Sequence, residues 1–339
     1  MFRDHFKRII EGNDLTEAQM AEMMTEIFSG GVTDAQIGAM MAALATKGET
    51  FAELAGAARA MRRKALRINV PSATIVDTCG TGGDGANTFN ISTTTAFVVA
   101  GCGAVVAKHG NRSVSSKCGS ADLLEALGVN LDVAPEIVEE AVAEIGIGFL
   151  FAPKYHSAMR FAAPARKEIG LRSIFNMLGP LTNPAAANCQ LLGVYAQNLT
   201  DMFAEALKLL GAKRALVVHG HDGLDEISIC APTRISELKD GMIRTYDITP
   251  EQFFEKAADP EDLVGGTAEK NADITRRILS GEKGPCRDVV LINTAGALMS
   301  AGMADTFEAG IDMAANAIDE GKAKEKLESL VAFTQKESA

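Results

Sequence analysis

The chain has 339 residues, of which 47% are hydrophobic, and it carries a formal net charge of −11. This length suits about two domains with a large core, while the acidic balance argues against general nucleic-acid binding, which needs a basic face. Six scattered cysteines without a C-x-x-C pair argue against a zinc site and indicate reduced thiols.

The sequence also argues against export and membrane insertion. Residues 1–12 mix charged and apolar side chains and lack the apolar region of a signal peptide. No apolar run is long enough to span a bilayer. We therefore expect a cytoplasmic protein that binds neither nucleic acid nor membrane.

Residues 1 to about 70 are predicted to form helices. Three helix starts carry a capping box, in which a threonine and the residue three positions later bond to each other's backbone N–H groups: Thr16 with Gln19, Thr33 with Gln36, and Thr50 with Glu53. Apolar residues, many of them methionines, recur behind these starts at helical spacing. Such stripes are usually core, but methionine also suits an adaptable interface, so a dimer contact in this region is a hypothesis.

After Pro71 the pattern changes to short β-branched runs that alternate with helical stretches. The predicted strands are 74–77, 104–107, 146–151, 191–195 and 215–218, and the predicted helices between them are 93–100, 121–127, 135–145 and 199–210. This alternation predicts an α/β domain with a mostly parallel sheet. Ligands of such sheets bind beyond the carboxyl ends of the strands, so the loops that follow strands are the candidate site.

The first candidate loop is glycine-rich and reads G-T-G-G-D-G from Gly80 to Gly85. Behind it, Asn90, Ser92 and three threonines stand where the next helix is expected to begin. Glycines let backbone N–H groups and a helix N-terminus approach a phosphate closely. The loop is neither a Walker A loop nor a dinucleotide fingerprint, because it lacks G-K-[ST] and G-x-G-x-x-G. The glycines alone suit a tight turn equally well.

The second candidate loop is basic and rich in serine, from Lys108 to Lys117. Although the chain is acidic, it has no acidic residue from Gly85 to Ala121. Basic and hydroxyl side chains supply charge and donors for phosphate oxygens. Since both loops are expected on the same rim of the sheet, together they predict a phosphate site.

Two adjacent carboxylates, Asp225 and Glu226, follow the predicted strand 215–218 by a short loop. Adjacent carboxylates in a loop are usually exposed to solvent and have no further role. If this pair faces a phosphate site, it is a candidate Mg²⁺ site, because Mg²⁺ binds one or two carboxylates together with phosphate oxygens. His219 and His221 form an H-x-H, but no further soft ligands support a transition metal.

The rest of the chain supplies mainly secondary structure. Residues 234–247 predict a β-hairpin with its turn at Asp240-Gly241. Residues 289–292 suit either a strand or a buried helix, because periodicity cannot separate the two in so short a run. Residues 304–334 predict two helices divided near Gly321.

These motifs resemble the signatures of the anthranilate phosphoribosyltransferases. The resemblance runs nearly end to end through G-T-G-G-D at 80–84, N-I-S-T at 90–93, K-H-G-N-R-x-x-S-S at 108–116, A-P-A-R at 163–166, G-P-L-T-N-P at 179–184 and D-G-L-D-E at 222–226. It implies transfer of the 5-phosphoribosyl group from 5-phosphoribosyl-1-diphosphate to anthranilate, with release of diphosphate, in tryptophan biosynthesis. Ser157 replaces a proline usual in the family, which bears only on local loop shape.

The resemblance also implies the fold: α/β, with a small all-α domain and a larger α/β domain whose mostly parallel central sheet is flanked by helices. The helical domain would be residues 1–70, joined by the segment near 159–181, and the larger domain would be 71–339. Residues 289–292 would then be helical, and the helical domain would form a homodimer.

The resemblance implies specific site residues. The donor site would comprise Gly80, Gly83, Asp84, Thr88, Asn90, Ile91, Ser92, Thr93, Lys108, His109, Gly110, Asn111, Arg112, Ser113, Val114, Ser115, Ser116 and Ser120. The anthranilate site would comprise Gly80, His109, Asn111, Arg166 and Pro180, with His156 at the mouth of the pocket. Up to two Mg²⁺ ions per monomer would be held by Ser92, Asp225 and Glu226. No strong general base is expected, because an aromatic amine is already neutral at pH 7.

Two alternatives stay open at this point. A pyrimidine-nucleoside phosphorylase has a related architecture but would need no metal, and the D-E pair and the N-I-S-T serine argue against it. A non-catalytic relative that binds nucleic acid would need a basic groove, and the net charge of −11 argues against that.

Overall fold

The computed structural model describes residues 1–113 and 117–336. The helices, numbered α1 to α15 in chain order, are Phe2–Ile10, Glu17–Ile27, Asp34–Lys47, Phe51–Lys64, Ile91–Gly101, Ser120–Leu127, Pro135–Ile145, Ala152–Tyr155, Ala163–Ile169, Ile174–Met177, Leu199–Leu209, Ala268–Leu279, Pro285–Ala301, Phe307–Asp319 and Lys322–Gln335. The strands, β1 to β7, are Val76–Asp77, Val106–Gly110, Ile147–Phe151, Cys189–Gly193, Arg214–Gly220, Thr233–Lys239 and Met242–Ile248. Short 3-10 turns lie at Ser157–Phe161, Gly179–Leu181, Pro250–Gln252 and Pro260–Leu263.

The strands form one mixed sheet in the order β3-β2-β1-β4-β5-β6-β7. The first five strands in this order are parallel, and β6 and β7 add an antiparallel hairpin at one edge. The hairpin turns at Asp240 and Gly241, which have φ of +52° and +73°, as a type I′ turn requires. The predicted α/β fold with a mostly parallel sheet and the hairpin are both confirmed.

Helices cover both faces of the sheet, and the side-chain alternation of each strand divides its residues between them. In β5, Leu216 and Val218 join a core with α5 and α13 to α15, whereas Ala215 and Val217 join a core with α11 on the other face. Residues 289–292 lie inside α13, so they are helical and the alternative of a strand was wrong. The two helices predicted for 304–334 are confirmed as α14 and α15.

The N-terminal helices pack in a layer against the α11 face of the sheet. The three predicted capping boxes are present at the starts of α2, α3 and α4. Met20, Met40 and their neighbours are fully buried in one apolar cluster that also contains Phe175 and, from the sheet, Leu192 and Val217. The methionine stripes are therefore core within this chain. The division at residue 70 stays a prediction, since the apolar cluster continues across it.

Several strand boundaries differ from the prediction by one to three residues, and the difference in β2 affects the site. The second strand was expected to end at Ala107, with Lys108 in the following loop, but β2 continues to Gly110. Lys108 and His109 pair in register with Phe149 and Leu150 of β3 and are buried. A polar residue ends an apolar sequence pattern, but pairing with β3 keeps β2 extended as far as Gly110.

Across residues 1–113 and 117–336, no helix has both the length and the apolar character needed to cross a membrane.

Candidate active site

The candidate site lies at the carboxyl edge of the parallel strands. β1 ends at Asp77 and leads into the glycine loop, β2 ends at Gly110, and β5 leads into the loop that carries the carboxylate pair. Because β1 lies between β2 and β4, and β5 follows β4, the glycine loop lies between the other two segments.

The glycine loop is tied to β4 and to the carboxylate loop by backbone hydrogen bonds. The N–H of Thr81 donates to the Gly193 carbonyl (2.8 Å), and the N–H of Gly82 donates to Asp225 Oδ2 (2.7 Å). A Cβ on Gly80 would lie 2.9 Å from the same Asp225 oxygen, so glycine allows this close approach. The expected proximity of the glycine loop and the D-E pair is therefore present.

The far end of the glycine loop leads into the N-terminus of α5. Asn90 precedes the helix, but its side chain bonds elsewhere: Nδ2 donates to the Cys118 carbonyl (3.1 Å), and Oδ1 accepts from Asn271 (2.9 Å). The backbone N–H of Ser92 donates to the Glu226 carboxylate. The positive end of the helix therefore faces the carboxylate pair, as the macrodipole favours.

The threonines after Ser92 contribute less to the rim than the sequence indicated. The hydroxyl of Thr94 bonds to Thr275 (2.9 Å) in the core, and Thr93 Oγ1 is buried without a partner among the described residues. All three threonines are buried because α5 is surrounded by its neighbours in the core, so helical rotation does not return any of them to the rim. Thr88 sits further back, where its backbone pairs with Val264.

Three carboxylates meet at the centre of the site. Burial and then the nearby Asp84 raise the pKa of Asp225 to about 8, and Asp84 shares a side-chain hydrogen bond with it. Burial and then Asp225 raise the pKa of Glu226 well above its usual value. Crowded carboxylates with these raised pKa values suit a divalent cation, which would relieve their repulsion. The residues present therefore fit Mg²⁺, with Asp84 as a neighbour that was predicted only for the ribosyl end.

Lys108 lies beneath the glycine loop. Its buried Nζ donates to the Thr78 carbonyl (3.3 Å). The adjacent Asp77 accepts from the His109 N–H (3.1 Å) and from Asn183 Nδ2 (2.7 Å). Burial raises the pKa of Asp77 to about 6, partly offset by Lys108. This network holds the end of β2 against the end of β1 and places a buried cation beside the start of the glycine loop.

Two buried histidines line the side of the site nearest the segment 152–181. The rings of His109 and His156 meet edge to face with centroids 5.1 Å apart. His109 Nδ1 bonds to the Gly179 carbonyl (3.0 Å), in the 3-10 turn that contains Pro180. Burial lowers the pKa of His109 to about 3 and that of His156 to about 4. Both rings are therefore neutral at pH 7.

Three ring nitrogens of these histidines lack a hydrogen-bond partner among the described residues. They are His109 Nε2 and both ring nitrogens of His156, and all three are buried. Buried polar atoms without partners are rare in proteins and call for a specific explanation. A bound substrate or an ordered water would supply the partners, so the surroundings of these rings are a candidate acceptor site.

Arg166 lies in α9 and is half-buried, with its guanidinium 5.7 Å from the centre of the Phe175 ring. Burial lowers the pKa of Arg166, and no carboxylate among the described residues offsets this. A half-buried guanidinium of this kind can pair with a ligand carboxylate.

Arg112 is paired with acidic residues of the same chain, which its place in a basic loop did not indicate. The Arg112 guanidinium forms ion pairs with Glu125 (2.6 Å) and Asp122 (2.9 Å), two residues of α6 that follow the acid-free stretch. Asp122 also accepts from the Ser113 N–H (3.2 Å), and Ser120 Oγ donates to the Asn111 carbonyl (3.4 Å). The charge of Arg112 is thus already balanced within the chain. Val114, Ser115 and Ser116 lie outside the described residues.

Two other groups resemble metal sites but fit a metal poorly. The ligand atoms of Asp77, Cys79 and His109 lie within 4.8 Å of one another. Both oxygens of Asp77 already accept hydrogen bonds, and Lys108 is beside them. In the H-x-H pair, His219 bonds to the Val194 carbonyl (2.7 Å), while the other histidine approaches Asp247 instead, so the two share no site.

Sequence reasoning missed three residues that shape this edge. Asn183 holds Asp77, Asn293 of α13 bonds to the backbone of Ile227 beside the carboxylate pair, and Arg172 contacts the Gly83 carbonyl. Asn183 lies within the G-P-L-T-N-P motif, and Asn293 is a polar residue next to an apolar run, so both could have been noticed in the sequence. No sequence pattern marks Arg172.

Comparison with known proteins places the chain in a family. Residues 72–324 match the family model described as "Glycosyl transferase family, a/b domain", and residues 3–65 match "Glycosyl transferase family, helical bundle domain". The two matches together extend over most of the chain.

Individual relatives are more specific. The chain is 68% identical over 335 residues to an anthranilate phosphoribosyltransferase of Desulfatibacillum aliphaticivorans, covering 99% of each chain. It resembles the crystal structure of anthranilate phosphoribosyltransferase from Thermus thermophilus with a TM-score of 0.93, at 44% identity and with 98% and 99% coverage of the two chains. It also resembles the Saccharomyces cerevisiae enzyme in complex with PRPP and Mg, with a TM-score of 0.90, at 27% identity and with 99% and 98% coverage.

Proposed function

The chain belongs to the anthranilate phosphoribosyltransferases of the glycosyl transferase family, which transfer a 5-phosphoribosyl group to anthranilate in tryptophan biosynthesis, and we propose that this transfer takes place at the described edge of the sheet. One observation carries the proposal. The carboxylate pair accepts hydrogen bonds from the Gly82 N–H of the glycine loop and from the Ser92 N–H of α5. Groups that suit phosphate and groups that suit Mg²⁺ thus share one edge.

The donor, 5-phosphoribosyl-1-diphosphate, would bind along the glycine loop and the end of β2. Its phosphates would accept from the loop N–H groups, from Lys108 and from hydroxyls of the serine-rich segment 113–120. Asp84 would lie toward the ribosyl end, close to the metal. Arg112 would contribute directly only if it exchanged Glu125 for a phosphate, so we assign it a weaker role than the sequence indicated.

Mg²⁺ would be held by Ser92, Asp225 and Glu226, and we propose up to two ions per monomer. When bound, the metal masks the charge of the diphosphate and makes it a better leaving group. The chain's contribution is to hold two buried carboxylates close together, and burial and then the repulsion of Asp225 raise the pKa of Glu226.

Anthranilate would bind between the neutral histidines and Arg166. Arg166 would pair with the substrate carboxylate, while Asn111, His109, Pro180 and Gly80 would border the aromatic ring. The neutral state of the histidines supports this arrangement, because an apolar ring and an uncharged amine need no cation beside them.

The chemical step would be a displacement at the ribose C1. The C1–O bond to diphosphate breaks, a C1–N bond to the amine forms, and the amine then loses a proton. A transition state with oxocarbenium character is expected, as in glycoside cleavage. We assign no strong general base, because the amine attacks in its neutral form and correct positioning supplies most of the acceleration.

We also propose that the protein is a cytoplasmic homodimer that uses its N-terminal helices at the interface. No disulfide bond joins cysteines in the described part of the chain, which supports a reducing compartment. On α1 the side chain of Ile10 is 62% exposed, and an exposed apolar residue on this layer is compatible with a contact between subunits.

The test is the decay of anthranilate fluorescence with purified protein, donor and Mg²⁺. We expect decay only when all three are present. Decay without Mg²⁺ would contradict the metal proposal. No decay with fresh donor and metal would contradict the function, and phosphorolysis of uridine or thymidine would then be measured as the alternative.

A further inference from the structure

The loop that carries Asp225 and Glu226 rests on a buried asparagine from a distant part of the chain. Asn293 belongs to α13, where it follows the apolar run 289–292, and is fully buried. Its Oδ1 accepts from the Ile227 N–H (2.9 Å), and its Nδ2 donates to the Ile227 carbonyl (2.9 Å). Nδ2 also donates to the Val289 carbonyl one turn earlier in α13 (2.8 Å).

This geometry fixes the backbone directly after Glu226. The Ile227 N–H belongs to the peptide unit that begins at Glu226, so its orientation sets the direction in which the Glu226 side chain leaves the backbone. The bond to Val289 holds the amide of Asn293 in one rotamer, which makes the contact rigid. Because all of these groups are buried, losing the amide would leave backbone groups unsatisfied, at a high free-energy cost.

Other contacts hold the same loop from its remaining sides. A Cβ on Gly193 would overlap the Asp225 carbonyl oxygen, so β4 presses directly against the loop. Further along the loop, the Ser228 hydroxyl donates to Asp222 Oδ2 (2.6 Å) and accepts from the Cys230 N–H (2.9 Å). Asn293 adds the hydrogen bonds that join the loop to α13.

The carboxylate pair needs such support. The two carboxylates repel each other, and a loop that was free to move would relieve this by separating them. A separated pair would lose the geometry that Mg²⁺ demands, because Mg²⁺ tolerates little departure from its octahedral arrangement. Residues that orient the ligands of a metal therefore contribute to the affinity of the protein for that metal.

We propose that Asn293 is a positioning residue for the metal-binding carboxylates, acting through the backbone of Ile227. The proposal rests on the proposed function, since it assumes that Asp225 and Glu226 hold Mg²⁺. Asn293 itself contacts neither the metal nor a substrate. Its effect should appear as a changed requirement for metal, not as a changed affinity for anthranilate.

The test compares Asn293→Ala with Thr294→Val. Thr294 is the next residue of α13, is also fully buried, and its hydroxyl has no hydrogen-bond partner among the described residues, so its replacement is a matched control. We expect Asn293→Ala to raise the Mg²⁺ concentration for half-maximal rate by about 10–100-fold, the usual effect of losing a residue that orients a metal ligand. High Mg²⁺ should restore the rate, and the KM for anthranilate should stay unchanged. Thr294→Val should match the wild type in each respect.

A second readout does not depend on turnover. The binding of Mn²⁺ in the presence of diphosphate, followed by electron paramagnetic resonance, should weaken in Asn293→Ala by a similar factor. If Asn293→Ala does not fold, Ser228→Ala loosens the other side of the loop while keeping every carboxylate, and it should shift Mn²⁺ binding in the same direction.

The outcomes separate the two proposals. A wild-type protein without Mg²⁺-dependent turnover would contradict the proposed function. An active wild type, together with a folded Asn293→Ala whose Mn²⁺ binding and Mg²⁺ requirement are unchanged, would overturn the positioning role. A uniform loss of rate that high Mg²⁺ does not restore would also overturn it, since that indicates a merely structural defect.

Discussion

Replacing Arg166 tests the acceptor site most directly. The guanidinium is half-buried, lies 5.7 Å from the Phe175 ring centre, and has no carboxylate partner among the described residues. If it pairs with the anthranilate carboxylate, Arg166→Ala removes a charge-assisted contact. We expect the KM for anthranilate to rise, while the KM for the donor stays close to that of the wild type.

The magnitude follows from the burial of the group. A hydrogen bond to a charged group contributes about 1.5–3 kcal/mol, and each 1.4 kcal/mol corresponds to about a tenfold change in binding. The KM for anthranilate should therefore rise by about 10–150-fold. Arg166→Lys keeps the charge but loses the planar fork, so its effect should be intermediate.

The assay is the initial rate of anthranilate fluorescence decay, with each substrate varied at saturating concentration of the other. Arg160→Ala is a suitable control, because Arg160 is an exposed arginine of the same segment, with its guanidinium 4.8 Å from the Phe161 ring centre. It should leave both KM values unchanged. An equal loss of affinity for both substrates in Arg166→Ala would refute the assignment of this arginine to the acceptor site.

Three further predictions concern the donor side. Asp225→Asn should lower kcat by about 100–1,000-fold, as loss of a group that stabilises developing charge does. It should nevertheless raise the melting temperature in EDTA, because it removes a carboxyl group that is buried and lies beside Asp84. A lower melting temperature in EDTA would count against that crowding. In wild-type protein without metal, the raised pKa of Asp225 means that the folded state holds a proton that the unfolded state has lost, so stability should fall as pH rises from about 4 to about 8. Denaturant titrations across this range would show the slope, and Mg²⁺ with donor should reduce it. Arg172→Ala removes a hydrogen bond to the Gly83 carbonyl and a guanidinium that lies 4.3 Å from the Tyr195 ring centre. It should raise the KM for 5-phosphoribosyl-1-diphosphate by about threefold to fivefold, the effect expected from losing an exposed cation–π contact. An effect confined to anthranilate kinetics would contradict this.

Much of the fold could be predicted because it follows local rules. The capping boxes fix the starts of α2, α3 and α4, and the Asp240-Gly241 turn fixes the hairpin, since each depends on a few neighbouring residues. The rim position of the glycine loop and of the D-E pair follows from strand polarity alone.

The parts that could not be predicted depend on contacts between distant residues. The buried position of Lys108 in β2 depends on its pairing with β3, which a polar residue in the sequence does not indicate. The pairing of Arg112 depends on how α6 folds back on the preceding loop. The bond from Asn293 to Ile227 joins residues 66 positions apart, and no local pattern encodes that distance.

The shared apolar cluster has a consequence for how the chain folds. Arg59 and Arg62 of α4 donate to the carbonyls of Leu209 (2.8 Å) and Leu181 (2.6 Å), while the cluster itself runs without interruption from α2 to the α11 face of the sheet. The family models divide the chain near residue 70, but the apolar cluster does not end there. We therefore expect the sheet and the N-terminal helices to fold as one cooperative unit. Either half alone would expose to water the surface that the other half covers.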